Sequence, residues 1–99
     1  MTKLQKDVIK QLYEYNSFEY TTAKCAEELQ ELALELTRLT TKPELDDNRV
    51  QAIIDEIGDV EIRLKALKLH YDKDAINQRI DLKIAKFVTL LDNKRYKNI

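Results

Sequence analysis

The chain of 99 residues contains one glycine, one proline, one cysteine, one histidine, one methionine and no tryptophan. Each scarcity excludes something. Turn-forming residues are too few for an all-β fold, whose many short strands need many turns. The lone Cys25 cannot build an internal disulfide framework, and it fits a reducing compartment. No cysteine or second histidine stands at a zinc-ligand spacing. The Glu-x-x-His pairs of a ferritin-like di-iron site are missing. So are a glycine-rich phosphate loop and any nucleophile motif. No apolar run approaches the roughly 20 residues of a membrane span, and no N-terminal run resembles a signal peptide. No membrane partner is expected, and a cytoplasmic location is. With a formal net charge of −1, nothing draws the protein as a whole toward nucleic acid, and no nucleic-acid partner is expected.

What the chain does have is 43% apolar and 35% charged residues, the mixture of amphipathic helices with solvated faces. Apolar positions recur at steps of three and four in four stretches. Leu4, Val8, Ile9 and Leu12 predict a first helix over about Lys3 to Tyr15. Asn16 and Ser17 break it, and Ser17 is placed to cap the next. Cys25, Leu29, Leu32, Leu36 and Leu39 predict a second helix over about Glu19 to Leu39. Thr40-Thr41-Lys42-Pro43 closes it, because proline disfavours helical geometry in the residue before it. Val50, Ile53, Ile57, Val60, Leu64 and Leu67 predict a third helix over about Asp47 to Leu69. Asp46 and Asp47 suit its positive N-terminal end. After a short link at His70–Lys73, Ile76, Ile80, Ile84, Phe87, Val88 and Leu91 predict a fourth helix over about Asp74 to Leu91, and the polar tail from Asp92 to Ile99 is expected to fray. No linker or composition change divides the chain. Residues 1–99 read as a single all-α domain, with short connections implying antiparallel neighbours in a four-helix bundle. A domain this small has a small core, and such domains often gain stability by oligomerising.

Two acidic segments echo each other. Glu27-Glu28-Leu29-Gln30-Glu31-Leu32 and Asp55-Glu56-Ile57-Gly58-Asp59-Val60 share one order of acidic, aliphatic and small or polar residues. At about 100° per residue, positions i and i+3 share a helix face, so Glu28 lies with Glu31 and Glu56 with Asp59. Each acidic strip flanks the apolar stripe, where it can be partly enclosed. In an antiparallel hairpin, residues equidistant from the turn lie opposite each other. Glu28 with Asp59, and Glu31 with Glu56, are both centred between Pro43 and Glu44. With packed axes about 8–10 Å apart, four carboxylates converge on one small volume. Carboxylates held together repel and resist desolvation. A hard divalent cation of the magnesium type, which takes oxygen ligands, resolves that conflict. The plainer reading is four solvated acids paired with Lys and Arg along their own helices.

These residues resemble the signature of the all-α nucleoside triphosphate pyrophosphohydrolases, the MazG-like proteins: Glu-Glu-x-x-Glu, a spacer, then Glu-x-x-Asp. Here it reads Glu27-Glu28-Leu29-Gln30-Glu31 and Glu56-Ile57-Gly58-Asp59, and the spacer fits the family's loop-plus-helix length. The likeness is good over roughly Tyr20 to Leu69 and looser over the fourth helix. Asp55 stands where many relatives have Glu. The resemblance implies a helical homodimer or homotetramer. It also implies Mg²⁺-dependent cleavage of a nucleoside triphosphate to a monophosphate and pyrophosphate, with Mn²⁺ able to stand in. Metal-binding and catalytic roles would fall on Glu28, Glu31, Glu56 and Asp59, with one carboxylate orienting the attacking water. Glu27 points away from the other four and is at most a supporting residue. House-cleaning of noncanonical nucleotides or control of dNTP pools are the implied roles. Phosphoribosyl-ATP pyrophosphohydrolase is an enzymatic alternative, and a non-catalytic helical interaction module is an alternative of another class.

Substrate phosphates need cations. Lys24 lies one turn before Glu28 and Arg63 one turn after Asp59. Either could equally form an ordinary i,i+4 ion pair, worth a few tenths of a kcal/mol. Lys83 and Lys86 on the fourth helix are further candidates because the family tends to use basic residues there, against the plain reading of a solvated face. Tyr13, Tyr15, Phe18 and Tyr20 gather at the junction of the first two helices, where packing is the commoner use and stacking on a nucleobase the sharper one. Cys25 falls in the apolar stripe and reads as core. His70 stands near a helix end, where a cation is favourable.

Overall fold

The computed structural model describes residues 1–42 and 47–93. Those residues form four helices and no strand: α1 (Lys3–Tyr15), α2 (Phe18–Thr41), α3 (Asp47–Lys68) and α4 (Lys73–Asn93). Boundaries agree with the periodicity to within three residues, and capping chemistry explains most of them. Thr2 and Gln5 close a capping box on α1, each side chain bonding the other's backbone N–H at 3.1 and 2.8 Å. Ser17 caps α2 as expected, its hydroxyl accepting from the Tyr20 N–H at 3.0 Å. Asp72 Oδ1 accepts from the Asp74 and Ala75 N–H groups at 2.9 and 3.4 Å and so starts α4. Asp92 and Asn93 continue that helix instead of fraying. The closing role of Pro43, the part of Asp46 in starting α3, the centring of the acidic pairs between Pro43 and Glu44, and the tail beyond Asn93 lie outside the described residues.

The closest packing is α2 against α3, with α1 laid along α3. Arg49 on α3 donates to the Lys42 carbonyl at the end of α2, joining the two ends of the hairpin. The core is thin. Among the described residues only Ile9, Cys25, Val60 and Ala66 are buried apolar groups, and Thr21 is the buried polar one. Cys25 is 1% exposed, and burial raises its thiol above its ordinary pKa, so it is a core group as expected, not a reactive one. Ile53 and Leu67 are half-buried, whereas Leu29, Leu36, Val50, Ile57 and Leu64 from the predicted stripes are exposed.

The bundle is open. α4 contributes no buried residue. The Cα radius of gyration is 16.9 Å, against about 13 Å for a compact domain of this length. Periodicity recognises an apolar face, but it does not say what covers that face.

Gly58 sits inside α3, and a Cβ added there would meet nothing within 4 Å. Glycine costs a helix interior about 0.5–1 kcal/mol relative to alanine. Gly58→Ala is therefore expected to raise the unfolding free energy by about that amount, read from the midpoint of a urea melt. A loss of stability would show that something else occupies this side of α3.

Candidate metal centre

The hairpin delivers the acidic strips to each other. Glu28 and Glu31 project from one face of α2, and Glu56 projects toward them from α3. One carboxylate oxygen from each of the three lies within 4.8 Å of the others. Glu28 and Glu56 are half-buried and Glu31 is exposed, so the cluster opens to solvent on one side. Oε2 of Glu28 and Oε2 of Glu56 are both shut off from solvent without a hydrogen-bond partner.

Such an arrangement is strained when fully ionised. Burial, then the charges of Glu31 and Glu28, a hydrogen bond with Glu28 and the charge of Asp59 together push the Glu56 carboxyl up from 4.5 to about 7. In the metal-free protein a proton on Glu56 relieves the crowding. A divalent cation would relieve the crowding in the same place. The three carboxylates offer only oxygen donors, a chemistry that would suit a hard cation.

Asp59 is exposed and lies outside this set of three, although its charge acts on Glu56. Its side chain is one methylene shorter than that of glutamate, which limits its reach across the hairpin. Glu27 turns away and pairs with Lys24 at 3.3 Å, an i,i+3 contact instead of an i,i+4 pair with Glu28. Arg63 is half-buried and, among the described residues, forms no ion pair. Lys83 and Lys86 are exposed on α4, which packs broadly on neither α2 nor α3, and the Lys83 ammonium lies 5.9 Å from the ring centroid of Phe87.

The aromatic group at the α1–α2 corner divides. Tyr13 and Phe18 pack edge-on against His70, with ring centroids 4.5 and 5.2 Å away, and Phe18 also meets Tyr71 at 6.2 Å. Tyr15 and Tyr20 are exposed. His70 is thus a ring in a packed cluster that ties the α3–α4 turn to the α1–α2 corner, with its Nε2 enclosed and unpartnered. Its place beside a helix end gave no sign of this, because Tyr13 and Phe18 are far away in sequence. No protein-family model, curated protein or solved structure matches the chain.

Proposed function

We propose that the protein is a Mg²⁺-dependent nucleoside triphosphate pyrophosphohydrolase, converting an NTP or dNTP to its monophosphate and pyrophosphate. The observation that carries this reading is the convergence of Glu28, Glu31 and Glu56, with enclosed, unpartnered oxygens on two of them. Solvated surface acids do not leave carboxylate oxygens both buried and unpaired, because that costs the full desolvation of a charged acceptor. The reaction itself comes from the resemblance to the MazG-like signature in Glu27–Glu31 and Glu56–Asp59.

In this reading Glu28, Glu31 and Glu56 hold the ion, and Asp59 serves it as a fourth carboxylate, directly or through water. Bound Mg²⁺ supplies charge neutralisation at phosphate oxygens and a more acidic water. The chain's own task is positioning, which dominates phosphoryl-transfer catalysis. Lys24 and Arg63 stand one helical turn beyond Glu28 and Asp59, at the same depth in the hairpin. The half-buried Arg63, free of ion pairs among the described residues, suits a phosphate. A carboxylate facing the open side orients the attacking water. Lys83 and Lys86 reach a substrate only if α4 is brought to a hairpin. The expected setting is a cytoplasmic homodimer or homotetramer acting on noncanonical nucleotides or dNTP pools.

Pyrophosphate release from a panel of NTPs and dNTPs, including dUTP, dCTP and phosphoribosyl-ATP, with Mg²⁺ or Mn²⁺, tests the reading. Turnover of at least one triphosphate, lost with chelator, is expected. Turnover of phosphoribosyl-ATP alone would select the second enzymatic reading. A folded protein inert across the whole panel would leave the interaction module.

A further inference from the structure

We infer that the cavity between α1, the end of α3 and the start of α4 binds a small aliphatic phosphate ester, with the phosphate on its lysines and the chain on its apolar wall. The cavity measures about 690 Å³, within the roughly 300–1,000 Å³ of small-molecule sites. Three elements build it, because α1 is laid along α3 and α4 begins just after α3 ends. Lys6 and Lys10 stand one turn apart on α1, and Lys65 and Lys68 one turn apart near the end of α3, so each pair shares a helix face. Lys73, the first residue of α4, adds a fifth ammonium group to the lining.

Charge identifies the head group. The whole chain carries a net charge of −1, yet five lysines and a single carboxylate, that of Asp7, border this cavity. Among the described residues Lys6, Lys65, Lys68 and Lys73 form no ion pair, and Lys10 has only an exposed contact with Glu14 at 4.0 Å. Like charges around one opening repel, and a multivalent anion relieves them. Lysine meets phosphate as a point charge. The apolar lining identifies the body. Ile9 is buried, Ile76 is half-buried and Leu69 is 48% exposed, and the lysine stems extend this surface toward their charged ends. The rings of Tyr13 and Tyr71, which also border the cavity, are engaged edge-on with His70 and Phe18. The wall left for a ligand is therefore aliphatic. Among the described residues, none from α2 and none from the acidic cluster borders the cavity, so this inference does not depend on what that cluster binds.

The probe is octyl phosphate, titrated by calorimetry into chelated protein so that no metal ion on the acidic cluster can hold the phosphate. Binding with a Kd on the order of 100 μM is expected for a ligand of this size. Inorganic phosphate and octanol, which supply the head and the chain separately, should each bind at least tenfold more weakly. Adenosine monophosphate, which carries its phosphate on a flat aromatic body, should also be at least tenfold weaker. Lys6→Glu and Lys68→Glu should each weaken octyl phosphate at least tenfold. Both positions are exposed, so helical circular dichroism should be preserved. Leu69→Ser should weaken octyl phosphate several-fold and leave inorganic phosphate unmoved. Glu31→Gln should bind octyl phosphate as the wild type does, which separates this cavity from the acidic cluster. Failure of the wild type to bind octyl phosphate, or equal binding of inorganic phosphate, octanol or adenosine monophosphate, would overturn the proposal. So would unchanged binding in Lys6→Glu and Lys68→Glu, or binding lost in Glu31→Gln.

Discussion

Replacing Glu56 by Gln, or Glu31 by Gln, is expected to lower kcat by more than about 10²-fold. Loss of a group that merely orients a metal ligand typically costs 10–100-fold in affinity or activity, and loss of a ligand should exceed that. The substitution is nearly isosteric but replaces an anionic donor with a neutral one. The effect should therefore appear as weaker Mg²⁺ binding in calorimetry and as lost pyrophosphate release in the same protein. Glu27→Gln is the matched control. Glu27 lies on the same helix, but it pairs with Lys24 at 3.3 Å outside the cluster, and its removal should leave turnover within a few-fold. Unchanged turnover in Glu56→Gln would end the assignment of these carboxylates as metal ligands. Comparable losses in all three variants would point to a general charge effect instead.

The metal-free protein should lose stability as pH rises from about 4.5 to about 7, and Mg²⁺ should restore it above that range. The direction follows from linkage. The Glu56 pKa is 4.5 in its ordinary state and about 7 in the folded chain, raised first by burial and then by Glu31, Glu28 and Asp59. A carboxyl whose pKa rises on folding favours the folded state in its protonated form. That contribution is complete below about 4.5 and disappears as pH climbs through 7. Thermal melts of chelated protein at pH 5 and pH 8 should show the lower midpoint at pH 8. Glu56→Gln should reduce this difference and be the more stable protein at pH 8. Saturating Mg²⁺ at 100 times its Kd adds about 2.7 kcal/mol to any protein that binds it only when folded. The midpoint should rise at pH 8 and much less at pH 5, where protons hold the site. A melting curve at pH 8 that ignores Mg²⁺ would contradict a shared ion.

The acidic cluster was largely legible in the chain because its two determinants are local. Spacing of three on a helix puts Glu28 with Glu31 on one face. A short link between two helices of similar length folds α3 back on α2, which brings Glu56 to them. Asp59 was the harder case. Equidistance from the loop treats side chains as equal in length, and Asp59 is shorter than the three glutamates that meet. Arg63 illustrates the opposite limit, since sequence alone allows an i,i+4 partner that the folded chain, over its described residues, does not supply.

By itself the sequence determined the all-α class, the four helices nearly to the residue, the Ser17 cap, the burial of Cys25 and the pairing of α2 with α3. All of these depend on periodicity, capping and chain reversal, which act over a few residues or one loop. Tertiary structure alone decided that His70 packs between Tyr13 and Phe18. It also decided that two carboxylate oxygens are enclosed without partners and that α4 stands away from the hairpin with its apolar stripe uncovered. Those outcomes depend on contacts between residues far apart in the chain, and an apolar stripe reads the same whether its own chain or a second copy covers it.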